Sequence, residues 1–202
     1  MAAVAVVLLL SILQLAVHGY AISPPPGSVT VGDVSAAGDG CPEGTYTAVV
    51  SDDAHALTVM FSDFTAVTDK ALGDRRKQCV VSLQLNYPQG FTFTLVDIIL
   101  RGYANLDEGV KGVLQTSYYF SGQPGTADAP VVKVGKFDAN FEEGATFISP
   151  VVSVCNQVRN LNIRTEVRVE PGNFTPKRHG IVTVDSQDLK LTQIFAFSWE
   201  AC

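Results

Sequence analysis

The chain has 202 residues, with 14 Lys and Arg against 20 Asp and Glu and a formal net charge of −6. That balance argues against a protein that grips nucleic acid through a basic stripe. A hydrophobic content of 47% with 17% charged residues excludes a disordered chain, and a chain of this size buries roughly 70% of its unfolded surface, enough for an ordinary core.

Residues 1–19, MAAVAVVLLLSILQLAVHG, carry no charged side chain. The apolar run from Ala2 to Leu13 is about 12 residues, short of the ~20 that cross a bilayer. Two small-x-small sites follow, Val17-His18-Gly19 and Gly19-Tyr20-Ala21. The segment therefore reads as a signal peptide cleaved after Gly19 or Ala21, although its start lacks the usual Lys or Arg. No other stretch approaches transmembrane length and no apolar tail ends the chain. A secreted, extracellular protein without a membrane anchor is expected.

Residues 20–40 form an N-terminal linker and edge strand. Pro24-Pro25-Pro26 is extended, because each proline fixes its own φ and restricts its neighbour. Val29, Val31 and Val34 mark the strand and Gly38-Asp39-Gly40 the turn after it. From residue 41 to 202 the signal is period two, read as a single β-sandwich domain. Strands are expected at Tyr46–Ser51, Ala56–Phe61, Cys79–Leu85, Phe91–Arg101, Val110–Ser121, Val131–Phe137, Leu161–Glu170 and Leu191–Trp199. Residues 63–78 hold at most one short turn of helix, with Ala66, Ala71 and Leu72. The Phe91–Arg101 run changes phase: Phe91, Phe93 and Leu95 lie on one face, then Val96, Ile98 and Leu100 on the other. A bulge near Leu95–Asp97 keeps both sets inward. In the clearest strand, Leu161, Ile163, Thr165, Val167 and Val169 face one side, and Asn162, Arg164, Glu166, Arg168 and Glu170 the other. The fold class is all-β: an antiparallel β-sandwich of about nine strands, with a barrel as the alternative.

Cys41, Cys79, Cys155 and Cys202 all follow the leader. An even count in a secreted chain implies disulfides, and four cysteines allow three pairings. Cys41–Cys79 with Cys155–Cys202 is favoured, because sequential strands tend to be spatial neighbours. Each bond closes a loop of roughly 40 residues, worth about 4 kcal/mol in the chain-entropy model.

Catalytic chemistry is sparse. The sequence lacks GxSxG, HExxH, SxxK, P-loop and GxGxxG patterns. Only His55 and His179 remain after the leader; His179, in Pro176-Lys177-Arg178-His179-Gly180, reads as a solvated loop residue. Asp138 to Glu143 resembles the first half of a calcium loop, but Ser149 stands where the bidentate Glu belongs. The segment reads as a hairpin loop with solvated acids. No metal site and no cofactor are expected. Asp97 and Arg101, four apart on an apolar strand, read as a structural ion pair. Arg75-Arg76-Lys77 reads as a solvated basic loop, and Asn173-Phe174-Thr175 is a glycosylation sequon followed by Pro176. The one candidate for ligand contact is Tyr119. It lies out of phase with Leu114, Tyr118 and Phe120 and shares its face with Gln115, Ser117 and Ser121, an arrangement suited to stacking a sugar ring. The competing reading is a cross-strand aromatic pair.

An ordered set of motifs completes the reading: Gly40-Cys41-Pro42-Glu43-Gly44-Thr45, Cys79 entering a strand, Pro88-Gln89-Gly90, Arg101-Gly102-Tyr103, Tyr119-Phe120-Ser121-Gly122, Val184-Asp185-Ser186 and Trp199-Glu200-Ala201-Cys202. This series resembles the secreted fungal and bacterial proteins grouped as domain-of-unknown-function family 4360, over residues 28–202. Asn156 follows the third cysteine where the family pattern leads one to expect Gly. The resemblance implies a secreted, disulfide-bonded all-β domain and brings no activity or catalytic residues. Residues and resemblance together favour a non-catalytic extracellular or cell-wall binding protein, its partner a cell-wall glycan or an extracellular protein. The alternatives are a small secreted hydrolase using two carboxylates, or a secreted effector acting on a host.

Overall fold

A computed structural model describes residues 23–173, 177–183 and 190–202. The leader of residues 1–19, most of the sequon at Asn173 and the Val184-Asp185-Ser186 motif lie outside them. Twelve strands are described: β1 Thr30–Ala37, β2 Tyr46–Val50, β3 Ala56–Phe61, β4 Ala66–Val67, β5 Arg76–Asn86, β6 Phe91–Leu106, β7 Lys111–Phe120, β8 Ala127–Val134, β9 Phe137–Thr146, β10 Leu161–Glu170, β11 Gly180–Thr183 and β12 Leu191–Ala201. All pairings are antiparallel.

The strands form a two-sheet sandwich. One sheet runs β1-β5-β10-β7-β8 and has five strands. The other is built around the long β6, with β9 along one edge. On its opposite edge β12 pairs with Phe91–Arg101 and β11 with Tyr103–Leu106, end to end. Gly102 sits at the junction. A Cβ there would come within 2.9 Å of the Thr183 carbonyl and of Leu191, and 3.0 Å of Phe141, so no larger residue fits without a shift.

Alternation explains which residues fill the interior. Leu161, Ile163, Thr165, Val167 and Val169 of β10 are buried, as are Val81, Leu83 and Leu85 of β5. The phase change in β6 is a bulge: Ala196 pairs with Asp97 and Phe197 with Leu95, so Val96 is the extra residue. Phe93, Leu95, Ile98 and Leu100 are all buried as a result. Inside, Phe93 packs edge-on against Phe120 at 5.3 Å and Phe197 at 5.4 Å. A buried polar link joins the sheets: the Thr165 hydroxyl donates to Gln193 Oε1 at 2.9 Å, and Gln193 Nε2 donates to Thr116 Oγ1 at 3.0 Å. Full pairing is what lets these groups stay in an apolar core.

Cys41 is bonded to Cys79 and Cys155 to Cys202. The first bond ties β5 to the chain between β1 and β2. The second holds the end of β12 against the segment before β10. Asn156, beside it, has φ of 55°. That left-handed backbone favours Gly but tolerates Asn, and here the Asn156 side chain also accepts the Gly90 N–H at 2.8 Å.

Several sequence expectations are corrected. The acidic segment from Asp138 to Glu143 is not a hairpin loop; it lies within β9, which pairs with β6 from Asp97 to Leu106. Glu142 takes a bond from Arg101 Nε at 2.7 Å, and Asp138 one from the Tyr103 hydroxyl at 2.5 Å. Lys133 of β8 bonds to Glu143 and lies over the Phe137 ring, closing the gap between the edge strands β8 and β9. Asp97 and Arg101 do not pair. Four residues along a strand span about 13 Å, whereas cross-strand neighbours lie about 5 Å apart. Arg101 therefore takes Glu142, and Asp97 accepts the Thr146 hydroxyl at 2.7 Å. Strands β4 and β11 are additions, β5 begins at Arg76, and β8 begins at Ala127 and ends before Phe137.

Candidate binding face of the five-stranded sheet

The outer face of the five-stranded sheet is built from residues that alternate with the core. Register aligns them into rows. Tyr119 on β7 stands opposite Asn162 on β10, Asn162 opposite Ser82 on β5, and Ser82 opposite Ser35 on β1. Three strand spacings make that row about 14 Å long. The next row carries Asp128, Ser117, Arg164 and Val80, and the one after it Pro130, Gln115, Glu166 and Gln78. Sequence singles out Tyr119 alone in this set. Period two sends Asn162 and Ser82 outward, but only cross-strand register aligns them with it.

Two parts of this face differ in how their polar groups are satisfied. Around Glu166 everything is paired. Its carboxylate receives Arg76 Nη2 at 2.6 Å and Arg168 Nη1 at 3.2 Å, with Arg164 at 3.7 Å. Arg168 also bonds Glu170 at 2.7 Å, and Arg164 bonds Gln78 at 3.2 Å. Glu166 is only 8% exposed, more enclosed than the solvent-facing position its phase predicts, because three long guanidinium side chains cover it. The bond from Arg76 holds its carboxyl below the usual range; burial works against this, and Arg168 reinforces it.

Toward the other end, Tyr119 is half-buried. Among the described residues it makes no hydrogen bond and no ring pair. Its cross-strand partner is Asn162 and not an aromatic. The surroundings are polar and braced: Asn162 Nδ2 donates to Ser121 Oγ at 2.9 Å, Asn160 Nδ2 to Ser82 Oγ at 3.2 Å, and Arg159 to the Ser121 carbonyl at 2.9 Å. Gln115 Nε2 donates to Asp128 at 3.2 Å. The arrangement presents one aromatic ring with an unused hydroxyl above a platform of amides and hydroxyls.

The remaining sequence candidates lie elsewhere. His55 is exposed at the start of β3, its backbone N–H bonded to Asp53 at 3.0 Å. His179 is not simply solvated: its Nδ1 is 2.6 Å from Asp69 Oδ2, and its backbone N–H donates to Asp107 at 2.6 Å. Of the basic loop, Arg76 joins Glu166, and Lys77 joins Asp74 at 3.2 Å and Asp39 at 3.6 Å. The described residues hold no group of three or more His, Cys, Asp or Glu placed for a metal.

Comparison with known proteins adds location and kinship. An uncharacterised secreted protein of Arthroderma benhamiae is 34% identical over 189 residues, covering 92% of this chain and 76% of that protein. Like that relative, the protein is secreted, and no helix among the described residues is long and apolar enough to cross a membrane. A solved structure of TmCBM61 in complex with beta-1,4-galactotriose is 12% identical, with 91% of this chain and 99% of that chain covered, at a TM-score of 0.29. That similarity is too low to carry an argument about fold or ligand. The family model described as Domain of unknown function (DUF4360) matches residues 27–202, and with the relative beside it this places the chain: it belongs to the DUF4360 family.

Proposed function

We propose that the mature protein, from about residue 20 onward once the leader is removed, is a non-catalytic extracellular binding protein. The outer face of its five-stranded sheet engages a cell-wall glycan, with Tyr119 as the stacking residue. The observation that carries this reading is the state of Tyr119: half-buried, facing polar side chains, with neither a ring partner nor a hydrogen bond among the described residues. An aromatic ring with a polar tip matches a sugar, which offers an apolar C–H face and a rim of hydroxyls. The partly exposed Ser82 and Gln115 and the exposed Ser35 offer hydroxyl and amide groups to that rim. Hydrogen bonds from Asn160 to Ser82 and from Gln115 to Asp128 hold the first two in place beforehand, which lowers the ordering cost of binding.

The test is a pull-down of purified mature protein on insoluble cell-wall polysaccharide, with soluble oligosaccharides of the same wall as competitors. The reading expects retention that competitor releases and that Tyr119→Ala abolishes. Retention that Tyr119→Ala leaves intact would move the binding surface elsewhere.

A further inference from the structure

Two basic segments that sequence separates by about a hundred positions meet at one end of the sandwich. Strand β4 pairs with β11, Val67 opposite Ile181 and Ala66 opposite Val182. The joint is reinforced beyond the strands: Thr68 N–H donates to the Gly180 carbonyl at 2.9 Å, and Gly180 N–H donates to Thr68 Oγ1 at 2.9 Å. Between the two segments lies a concavity of about 230 Å³ lined by Thr68, Asp69, Lys70, Arg75, Pro171, Lys177 and Arg178.

Four of these seven residues are cationic and one is acidic. The acid is already engaged. Asp69 Oδ1 accepts the Thr68 hydroxyl at 3.0 Å, and Oδ2 lies 2.6 Å from His179 Nδ1. Arg178 donates to the Glu108 carbonyl. Lys70 and Lys177 are exposed and make no ion pair among the described residues. Arg75 Nε is shielded from solvent and has no acceptor there either. A shielded guanidinium N–H without an acceptor is uncommon in folded proteins and calls for a water or an ion as its partner. The concentration of cations runs against the whole molecule, whose net charge is −6. Such a local reversal in a concave wall focuses the field on an anion. Size narrows the ligand class. Drug-sized ligands occupy pockets of roughly 300–1,000 Å³, so this one suits an oxyanion group or a single acidic sugar.

We propose that this concavity is an oxyanion-binding site, with Lys70, Arg75 and Lys177 as its cationic donors. Its ligand is one sulfate, phosphate or carboxylate group, either free or borne by a sugar. The site is separate from the Tyr119 face and does not depend on the reading of that face.

Titration of the mature protein with sodium sulfate, sodium phosphate and glucuronate, at constant ionic strength and followed by amide chemical shifts, tests it. The expected result is a saturable shift confined to residues 68–75 and 177–180 with at least one probe. Affinity should fall about tenfold or more in Arg75→Gln and in Lys70→Gln, and stay unchanged in Arg101→Gln, which removes an exposed cation from the middle of β6. Lys70 is exposed, so its variant keeps the test informative if Arg75→Gln disturbs the fold. Sulfate or phosphate binding as tightly as glucuronate identifies a free-ion site, whereas glucuronate binding alone identifies a sugar-borne group. Unsaturable shifts with all three probes, or equal weakening by Arg101→Gln, would overturn the proposal.

Discussion

Tyr118 and Tyr119 are consecutive residues of β7, yet they belong to two different parts of the molecule. Tyr118 points between the sheets and is fully buried. Its ring packs edge-on against Phe147 at 4.9 Å and Phe120 at 6.1 Å. Its hydroxyl accepts the Val151 N–H at 2.9 Å, lies 3.0 Å from the Leu95 carbonyl, and sits 2.7 Å from Thr94 Oγ1. Tyr119 points outward, half-exposed, with none of these partners among the described residues. The same side chain is a tie between sheets at one position and an unengaged group at the next. A polar group whose bonding is complete inside the protein serves the fold. One left incomplete on a braced, accessible face is available to something else.

Substitutions on the two faces should sharpen this contrast. Tyr118→Ala removes a buried ring and leaves the Val151 N–H without its acceptor, so a loss of about 3–5 kcal/mol is expected in chemical unfolding. Gln193→Ala breaks the buried link between Thr165 and Thr116 and should cost about 1–3 kcal/mol by the same measurement. On the outer face the effects are smaller. Glu166→Gln keeps an acceptor for Arg76 but loses the charge; its guanidinium partners are 38–56% exposed, so about 1 kcal/mol is expected.

This last effect depends on pH. The Glu166 carboxyl is held below its ordinary value of 4.5 in the folded protein. Its contribution is therefore present above that value and is lost as pH falls through the lowered one. The stability gap between wild type and Glu166→Gln should close in strong acid. A gap that widens there would contradict the assigned pairing.

Much of this arrangement is legible in sequence, and the reasons it stops are physical. The alternation of Leu161–Glu170 and the opposite phases of Tyr118 and Tyr119 follow from the two-residue period of a strand. The phase change at Val96 is visible because both halves of β6 carry large apolar residues. Strand β9 is not legible: Asp138, Asn140 and Gly144 have low strand propensity, and β9 is held by β6 and by the closure from Lys133, not by its own preference. Four-residue β11 begins within a His-Gly pair that reads as a turn, and it forms because β6 offers an edge to pair with. The basic concavity is equally hidden. Lys70, Arg75 and Lys177 meet only through the β4–β11 register, which no local pattern encodes.

The smallest expected stability effect bears most directly on function. Tyr119→Ala, compared with wild type in a thermal melt and in a binding isotherm on cell-wall polysaccharide, isolates the outward ring. With no ring pair or hydrogen bond to lose, the variant should stay within about 0.5 kcal/mol of wild type, a melting shift below about 2 °C. Glycan affinity should fall about tenfold or more. A stability loss approaching that of Tyr118→Ala would mean that Tyr119 is a packing residue, and unchanged affinity with unchanged stability would remove it from the binding face.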